Sequence, residues 1–285
     1  MRRLDFGKRT YIMGILNITP DSFSGDGLLR RQDALQVARR QALEFVAAGA
    51  DILDIGGEST RPGSQPVSVE EEKARVLPVI EMLASLDLDV ILSIDTYKAD
   101  VAEAALRAGA DWINDVWALR ADSRLAQVAA RHNCPLVLMH NRSKPTHASL
   151  QERLGGRYIG MQYTDLIPDI CRELMESVAL AHQAGIPNDN IILDPGIGFG
   201  KTVEQNLEIL RRLDEIKALG FPLLLGVSRK SFIGYTLDSP PDQRLEGSLA
   251  AGVIGITRGA DILRVHDVPA AARAARMADA ILHPK

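Results

Sequence analysis

Cysteine is scarce: Cys134 and Cys171 are the only two in 285 residues. Two thiols argue against a disulfide scaffold and for a reducing compartment, so a cytoplasmic protein is expected. Each reads as a small buried apolar group rather than a nucleophile or a metal ligand. Long apolar runs are missing as well. None approaches the roughly 20 residues needed to cross a bilayer. The start, Met1-Arg-Arg-Leu-Asp, is basic, but no apolar stretch follows it. A signal peptide is therefore not expected. Charge of one sign is not in excess: 33 Lys+Arg stand against 37 Asp+Glu, a formal −4. That balance leaves no electrostatic footprint for nucleic acid. The chain also lacks low-complexity segments, linkers, His/Cys clusters at metal spacing and an evident Ser-His-Asp order.

What is present is a repeated strand grammar. Ile91-Leu-Ser-Ile-Asp95-Thr96 is a short apolar run that ends in a carboxylate. Apolar residues without a helical period read as a buried strand. Burying a carboxylate is costly unless a charge or hydrogen bond meets it, so Asp95 should stand where the strand opens into a pocket. Runs ending at Asn17, Asn114, His140, Asp194, Ser228 and Arg264-Val-His266 repeat the plan. A second repeat orders the architecture. Ala-Gly49-Ala-Asp, Ala-Gly109-Ala-Asp and Arg-Gly259-Ala-Asp each precede an apolar run. In each, the glycine should end a helix and Ala-Asp should turn into a strand. The spacings, 60 and 150 residues, are multiples of about 30, the size of a βα unit. The fold predicted is α/β: one (β/α)8 TIM barrel over residues 1–285, a single domain.

Strands are predicted at 11–16, 51–55, 90–94, 111–115, 135–139, 190–194, 222–227 and 261–265. Helices are predicted at 32–48, 68–85, 98–108, 122–132, about 160–184, 203–218, 244–258 and 268–281. Residues 3–10 should form a short hairpin or an extended lid. Ser68 is the expected N-cap of its helix, with Glu71 as capping-box partner. Long loops are expected at 17–31, 56–66 and 140–158.

In such a barrel the active site lies at the C-terminal ends of the strands. The candidates there are Asn17, Thr60, Arg61, Asp95, Asn114, His140, Asp194, Lys230, Arg264 and His266. Asp95, Asn114 and Asp194 bring acceptors, which suit a flat heterocycle bearing several N–H groups. Asn17, Thr60, Arg61, Lys230, Arg264 and His266 bring mostly donors and cations, which suit an anion such as phosphate. Blander readings stand beside these. Asp95 could cap the next helix, and His140 reads equally as a structural histidine. Asp115 should point away from Asn114 and be structural. Asp54 is open, and Glu58 and Glu246 read as loop braces. Pro195-Gly-Ile-Gly-Phe-Gly-Lys201-Thr202 misses the P-loop pattern, because residue 195 is proline where the first glycine belongs. Lys201 then reads as a solvated loop lysine, and the glycines as places where the backbone approaches a ligand.

The loops Asn17-Ile-Thr-Pro-Asp-Ser-Phe-Ser-Gly-Asp-Gly and Gly56-Gly-Glu-Ser-Thr-Arg-Pro-Gly resemble the signature loops of the dihydropteroate synthase family. Ser-Ile-Asp95-Thr, Ile-Asn114-Asp-Val, Leu-Met-His-Asn141-Arg, Asp194-Pro-Gly-Ile-Gly-Phe-Gly-Lys, Ser228-Arg-Lys230-Ser-Phe, Arg-Leu-Glu-Gly-Ser and Arg264-Val-His266-Asp-Val follow in the same order. The resemblance spans nearly the whole chain. It implies a cytoplasmic transferase of folate biosynthesis, a homodimer and sulfonamide target. Such an enzyme joins 4-aminobenzoate to (7,8-dihydropterin-6-yl)methyl diphosphate and releases pyrophosphate, with Mg2+. By that resemblance Asp95, Asn114, Met139, Asp194, Phe199 and Lys230 would hold the pterin. Asn17, Thr60, Arg264 and His266 would take the diphosphate, and Asn17 would also bind the metal. Phe23, Thr60, Arg61, Pro62 and Ser231 would frame the aminobenzoate. Asp95, Lys230 and Arg61 would be the catalytic residues. One departure is Trp117-Ala-Leu, where the family pattern has a small Ser-Gly-Gly-like turn. A corrinoid methyltransferase sharing the pterin pocket would have little use for Ser-Thr-Arg-Pro-Gly or Arg264-Val-His266. A silent pterin-binding paralogue should have lost Asn17, Arg61 or Lys230.

Overall fold

The computed structural model describes residues 4–18, 28–59, 64, 66–143, 148–151, 153–159 and 162–283, leaving aside the side chains of 28–33 and 150. The elements run β1 (Tyr11–Asn17), α1 (Leu28–Ala47), β2 (Ile52–Gly56), α2 (Val69–Ala84), β3 (Ile91–Asp95), α3 (Ala99–Ala108), β4 (Trp112–Asp115), α4 (Arg124–His132) and β5 (Leu136–Met139). A hairpin of β6 (Ala148–Gln151) and β7 (Gly155–Tyr158) follows, then α5 (Leu166–Gln183), β8 (Ile191–Asp194), α6 (Val203–Arg211), α7 (Leu213–Lys217) and β9 (Leu224–Leu225). The chain continues through α8 (Ser231–Leu237), α9 (Leu245–Thr257), β10 (Ile262–Val265) and α10 (Val268–Leu282).

Eight strands form one parallel sheet in the order β8-β5-β4-β3-β2-β1-β10-β9. Its two ends meet: Leu193 bridges Leu223, and the Leu193 N–H donates to the Pro222 carbonyl over 2.9 Å. The sheet thus curls into a nearly closed barrel, with the helices around it. A layer of apolar side chains between strands and helices forms the larger core. A second core fills the barrel. Tyr11, Met13, Ile52, Ile91, Trp112, Val137, Ile192, Leu224 and Ile262, drawn from all eight barrel strands, are buried together. Leu4 and Phe6 pack beneath this plug, Phe6 edge-on to Tyr11. The described part of the 3–10 segment is therefore a lid on the barrel's lower end, without a strand.

The Gly-Ala-Asp repeat has a physical explanation. Gly49, Gly109 and Gly259 take φ of 99°, 115° and 97°, a left-handed conformation that ends a helix at little cost only for glycine. The aspartates then fasten neighbouring strands. Asp51 accepts from the Ile12 N–H, Asp111 from the Leu92 N–H and Asp261 from the Leu223 N–H, at 2.8, 3.1 and 2.7 Å. Ser68 caps α2 by accepting from the Glu71 N–H at 3.2 Å. The Glu71 carboxylate does not reciprocate but pairs with Arg75. A full capping box forms instead between Thr202 and Gln205 at the head of α6.

Four expectations need correction. The helix expected over 203–218 breaks at Arg212, between α6 and α7. The strand expected over 222–227 keeps only two ladder residues. Beyond them the backbone turns, with the Lys230 N–H donating to the Val227 carbonyl and Arg229 at φ 57°. The 140–158 loop carries the β6–β7 hairpin. Finally, α8 occupies a stretch read as loop.

Candidate active site

Alternation along a strand decides which side chains enter the barrel. Two residues beyond Ile52, Ile91, Trp112, Val137, Ile192 and Ile262 of the plug, on the same face, stand Asp54, Ser93, Asn114, Met139, Asp194 and Arg264. Another step of two brings Asn17, Asp95, Ser228 and His266 to the barrel mouth. The strand register places Asp95 beside Asn114, Met139 beside Asp194 and Asn17 beside Gly56. Asp115, of opposite parity, faces outward as expected.

Asp54, left open from sequence, lies at the floor. It is fully buried and accepts from the Ser93 hydroxyl at 2.6 Å, the Asn114 amide at 2.9 Å and Arg264 Nε at 2.6 Å. The second arm of Arg264 donates to Asp95 Oδ2 at 2.6 Å. One guanidinium therefore bridges two carboxylates and fixes both. Burial opposes the charge on Arg264, but Asp54 and Asp95 outweigh it and raise its hold on the proton. Burial pushes the Asp95 carboxyl up to about 7, with Arg264 pulling down and Asp54 pushing further up. That is far from the ordinary carboxylate range and typical of a working site.

Across the mouth, Asp194 accepts from the Gly196 N–H at 2.7 Å. Burial raises its carboxyl, against the pull of Lys230. Lys230 donates to the Ile197 carbonyl and lies 4.6 Å from the centre of the Phe199 ring. Burial brings its ammonium down to about 8, with Asp194 resisting. Ser228 accepts from the His266 backbone N–H, and its oxygen is 3.1 Å from His266 Nδ1. Ser231 begins α8. Acceptors and cations from six strands thus converge on one opening. Phe23, Thr60, Arg61 and Pro62 lie outside the described residues. Glu58 acts as the expected brace, taking the Val67 N–H, the Tyr97 hydroxyl and Lys98. Among the described residues no group of three or more His, Cys, Asp or Glu is placed to hold a metal.

Two loop readings change. Lys201 is not solvated: it is 2% exposed, and its Nζ donates to the Gly196 and Phe199 carbonyls at 2.9 and 3.0 Å. His140 is buried beside it, between Lys201 and Glu173, which favours its structural reading. The glycines of this turn admit the protein's own chain. A Cβ on Gly196 would collide with the His140 carbonyl, and one on Gly198 would come within 2.9 Å of Lys230 Cδ. A Cβ on Gly200 would come within 2.6 Å of the Arg142–Ser143 peptide. At the other departure from pattern, Ala118 and Leu119 hold φ of 51° and 66° without glycine. The Asp115 carboxylate stabilises that turn by accepting from the Trp117 and Leu119 N–H groups at 2.8 and 2.6 Å.

The sequence profile of the pterin binding enzymes matches residues 13–266. The dihydropteroate synthase of Bacillus subtilis is 49% identical over 280 residues, covering 98% of this chain and 91% of that protein. A Clostridium difficile dihydropteroate synthase, solved in the presence of pteroic acid, superposes with a TM-score of 0.88 at 49% identity, over 99% of this chain and 100% of that one. The Xanthomonas albilineans dihydropteroate synthase, solved with 4-aminobenzoic acid, gives 0.85 at 40% identity, over 97% and 94%.

Proposed function

Because the chain belongs to the pterin binding enzymes, and among them to the dihydropteroate synthases, we propose that its barrel mouth joins 4-aminobenzoate to (7,8-dihydropterin-6-yl)methyl diphosphate. Pyrophosphate leaves and 7,8-dihydropteroate forms. The observation that carries this reading is the convergence of Asp95, Asn114, Asp194 and Lys230 on one opening, above an apolar plug. The pterin's amino and ring N–H groups meet the two carboxylates. With its nitrogen committed to Asp54, Asn114 offers its oxygen. Lys230 serves the pterin carbonyl. Met139 and Phe199 give the ring apolar walls. The remaining N–H groups of Arg264, with His266 and Thr60, take the diphosphate. Arg61, Pro62, Phe23, Thr60 and Ser231 frame the aminobenzoate, where a sulfonamide would compete.

The donors fit a magnesium ion carried on the diphosphate. Asn17 supplies one neutral oxygen at the mouth, and magnesium commonly takes its other ligands from substrate phosphate and water. When bound, it would neutralise the growing charge on the leaving group. The aromatic amine is already a neutral nucleophile, so no strong base is needed. Asp95 stabilises positive charge that spreads over the reduced pterin as the C–O bond breaks. Residues 1–285 act as one domain in this reading, in the cytoplasm. A second copy would cover the exposed Ile254 of α9 and Met277 and Ile281 of α10. No described helix is long and apolar enough to cross a membrane.

Titration calorimetry with a pterin ligand tests the pocket. Asp194→Ala leaves the ring's donors unpaired and should weaken binding by about 1–3 kcal/mol. Unchanged affinity in a folded variant removes Asp194 from the site. The same method has a pH signature. Only an ionised Asp95 accepts from the pterin, so affinity should fall as pH drops below about 7. Only a charged Lys230 donates to the pterin carbonyl with full strength, so affinity should fall again above about 8. At pH 6, binding should release close to one proton, read from buffers of different ionisation enthalpy. A flat profile between pH 5 and pH 9 would remove both groups from the contact.

A further inference from the structure

A P-loop turns its N–H groups inward around a phosphate. The turn 196–201 does the reverse: it directs carbonyls inward around its own lysine. Lys201 Nζ is surrounded by the Gly196 carbonyl at 2.9 Å, the Phe199 carbonyl at 3.0 Å, His140 Nδ1 at 3.0 Å and, farther off, the His140 carbonyl at 3.4 Å. An ammonium has no acceptor of its own. His140 Nδ1 must therefore present a lone pair, which places the ring's single proton on Nε2. From there it reaches Glu173 Oε2, 3.1 Å away. Burial and the neighbouring Lys201 bring the imidazole down to about 3, so the ring stays neutral between cation and anion. Glu173 is held in turn by Arg142 Nε, 3.0 Å from Oε1 and 3.1 Å from Oε2. Burial holds the Lys201 amine well below its usual value, with the Asp194 charge pulling the other way, and hydrogen bonds to the surrounding acceptors satisfy its buried head group.

The peptide units gripped by Lys201 are those that aim the pocket. Gly196 donates its N–H to Asp194, while its carbonyl accepts from Lys201. Phe199 lends its ring to Lys230 and its carbonyl to Lys201. Ile197, between them, accepts from Lys230. We propose that Lys201 is a positioning residue of the pterin pocket: braced by His140 and Glu173, its ammonium locks the 196–200 turn so that Asp194 and Lys230 meet the ring. It touches no substrate and acts through those two side chains. The inference deepens the functional reading above and rests on it for the identity of the ligand.

Two variants and two readouts test it. Lys201→Met keeps the length of the side chain and removes its donors. Glu173→Gln alters only the outer end of the chain. The first readout is pterin affinity by calorimetry, with the KM for 4-aminobenzoate as a control. Lys201→Met should weaken pterin binding about tenfold or more and Glu173→Gln about threefold, with the aminobenzoate KM moving less than about twofold. In the double variant the losses should fall short of their product, as for residues in one network. The second readout needs no pterin. It is the pH dependence of Lys230 acylation, followed by peptide mass spectrometry. Asp194, Arg264 and Asp95 act on Lys230, and Lys201 itself lies within coulombic reach of it, so a rise in Lys201→Met follows from charge alone and Glu173→Gln is the diagnostic variant. A loosened turn hydrates Lys230 and should raise the midpoint of its labelling curve by about half a pH unit in both variants. Through space alone, loss of the Glu173 charge would lower that midpoint, so in Glu173→Gln the sign separates positioning from plain electrostatics. Unchanged affinity with an unchanged or lowered midpoint in folded Glu173→Gln overturns the proposal, also when Lys201→Met fails to fold. If the wild type binds no pterin while the Glu173→Gln midpoint rises, the ligand reading fails and the positioning role stands.

Discussion

Arg264→Met should destabilise the fold by about 3–5 kcal/mol, the range seen when one partner of a buried charge pair is removed. Arg264 is the group that neutralises the floor of the barrel. Its Nε serves Asp54, whose side chain is 0% exposed, and its second arm serves Asp95, 12% exposed. Methionine fills similar space but leaves both carboxylates without their cation. Asp54 keeps the Ser93 hydroxyl and the Asn114 amide; Asp95 loses its ion pair. The loss should depend on pH. In the wild type the Asp95 carboxyl is already raised to about 7, and without Arg264 it rises further. A group raised in the folded state favours the fold while protonated and costs stability as pH climbs through its folded value. The variant should therefore lose least near pH 5 and most above pH 7. Urea unfolding at those two pH values reads the difference. A loss under about 1 kcal/mol at pH 8 would contradict the bridge.

Asp95→Asn should keep the fold and slow C–O cleavage at least tenfold. The proposed step puts positive charge on the reduced pterin close to this carboxylate. At an effective dielectric near 20, opposite charges about 4 Å apart attract by roughly 4 kcal/mol before desolvation is subtracted. Half of that is worth more than tenfold in rate. Asparagine keeps the shape and removes the charge, so binding suffers less than cleavage. Single-turnover cleavage should also vary little with amine basicity across ring-substituted aminobenzoates, because the diphosphate leaves before the amine attacks. A rate that climbs steeply with basicity would favour direct displacement and leave Asp95 a binding residue.

The barrel was legible because its signals are local. Gly49, Gly109 and Gly259 mark helix ends by a backbone requirement that only glycine meets at little cost, and the aspartates after them hold the adjacent strands. The mouth was legible because strand ends interrupt apolar runs with polar residues. Asp54 was not, although a signal existed. It stands two residues after Ile52, on the inward face, but that face is known only once the plug is assembled. Lys201 was misread for a deeper reason. A lysine in a glycine-rich loop is ordinarily solvated, and what buries this one comes from His140, 61 residues away. Three carbonyls and an imidazole nitrogen meeting at one point cannot be read from the spacing of residues. The β6–β7 hairpin and α8 were missed because neither bears a clean apolar period.

The central claim is a condensation at one pterin pocket. It is tested most directly by measuring pyrophosphate and 7,8-dihydropteroate together, with both substrates and magnesium present. The account predicts equal amounts of the two products, none without magnesium, and loss of both in Asp194→Ala. Pyrophosphate released without an equal amount of pteroate, or turnover that survives in Asp194→Ala unchanged, would contradict it.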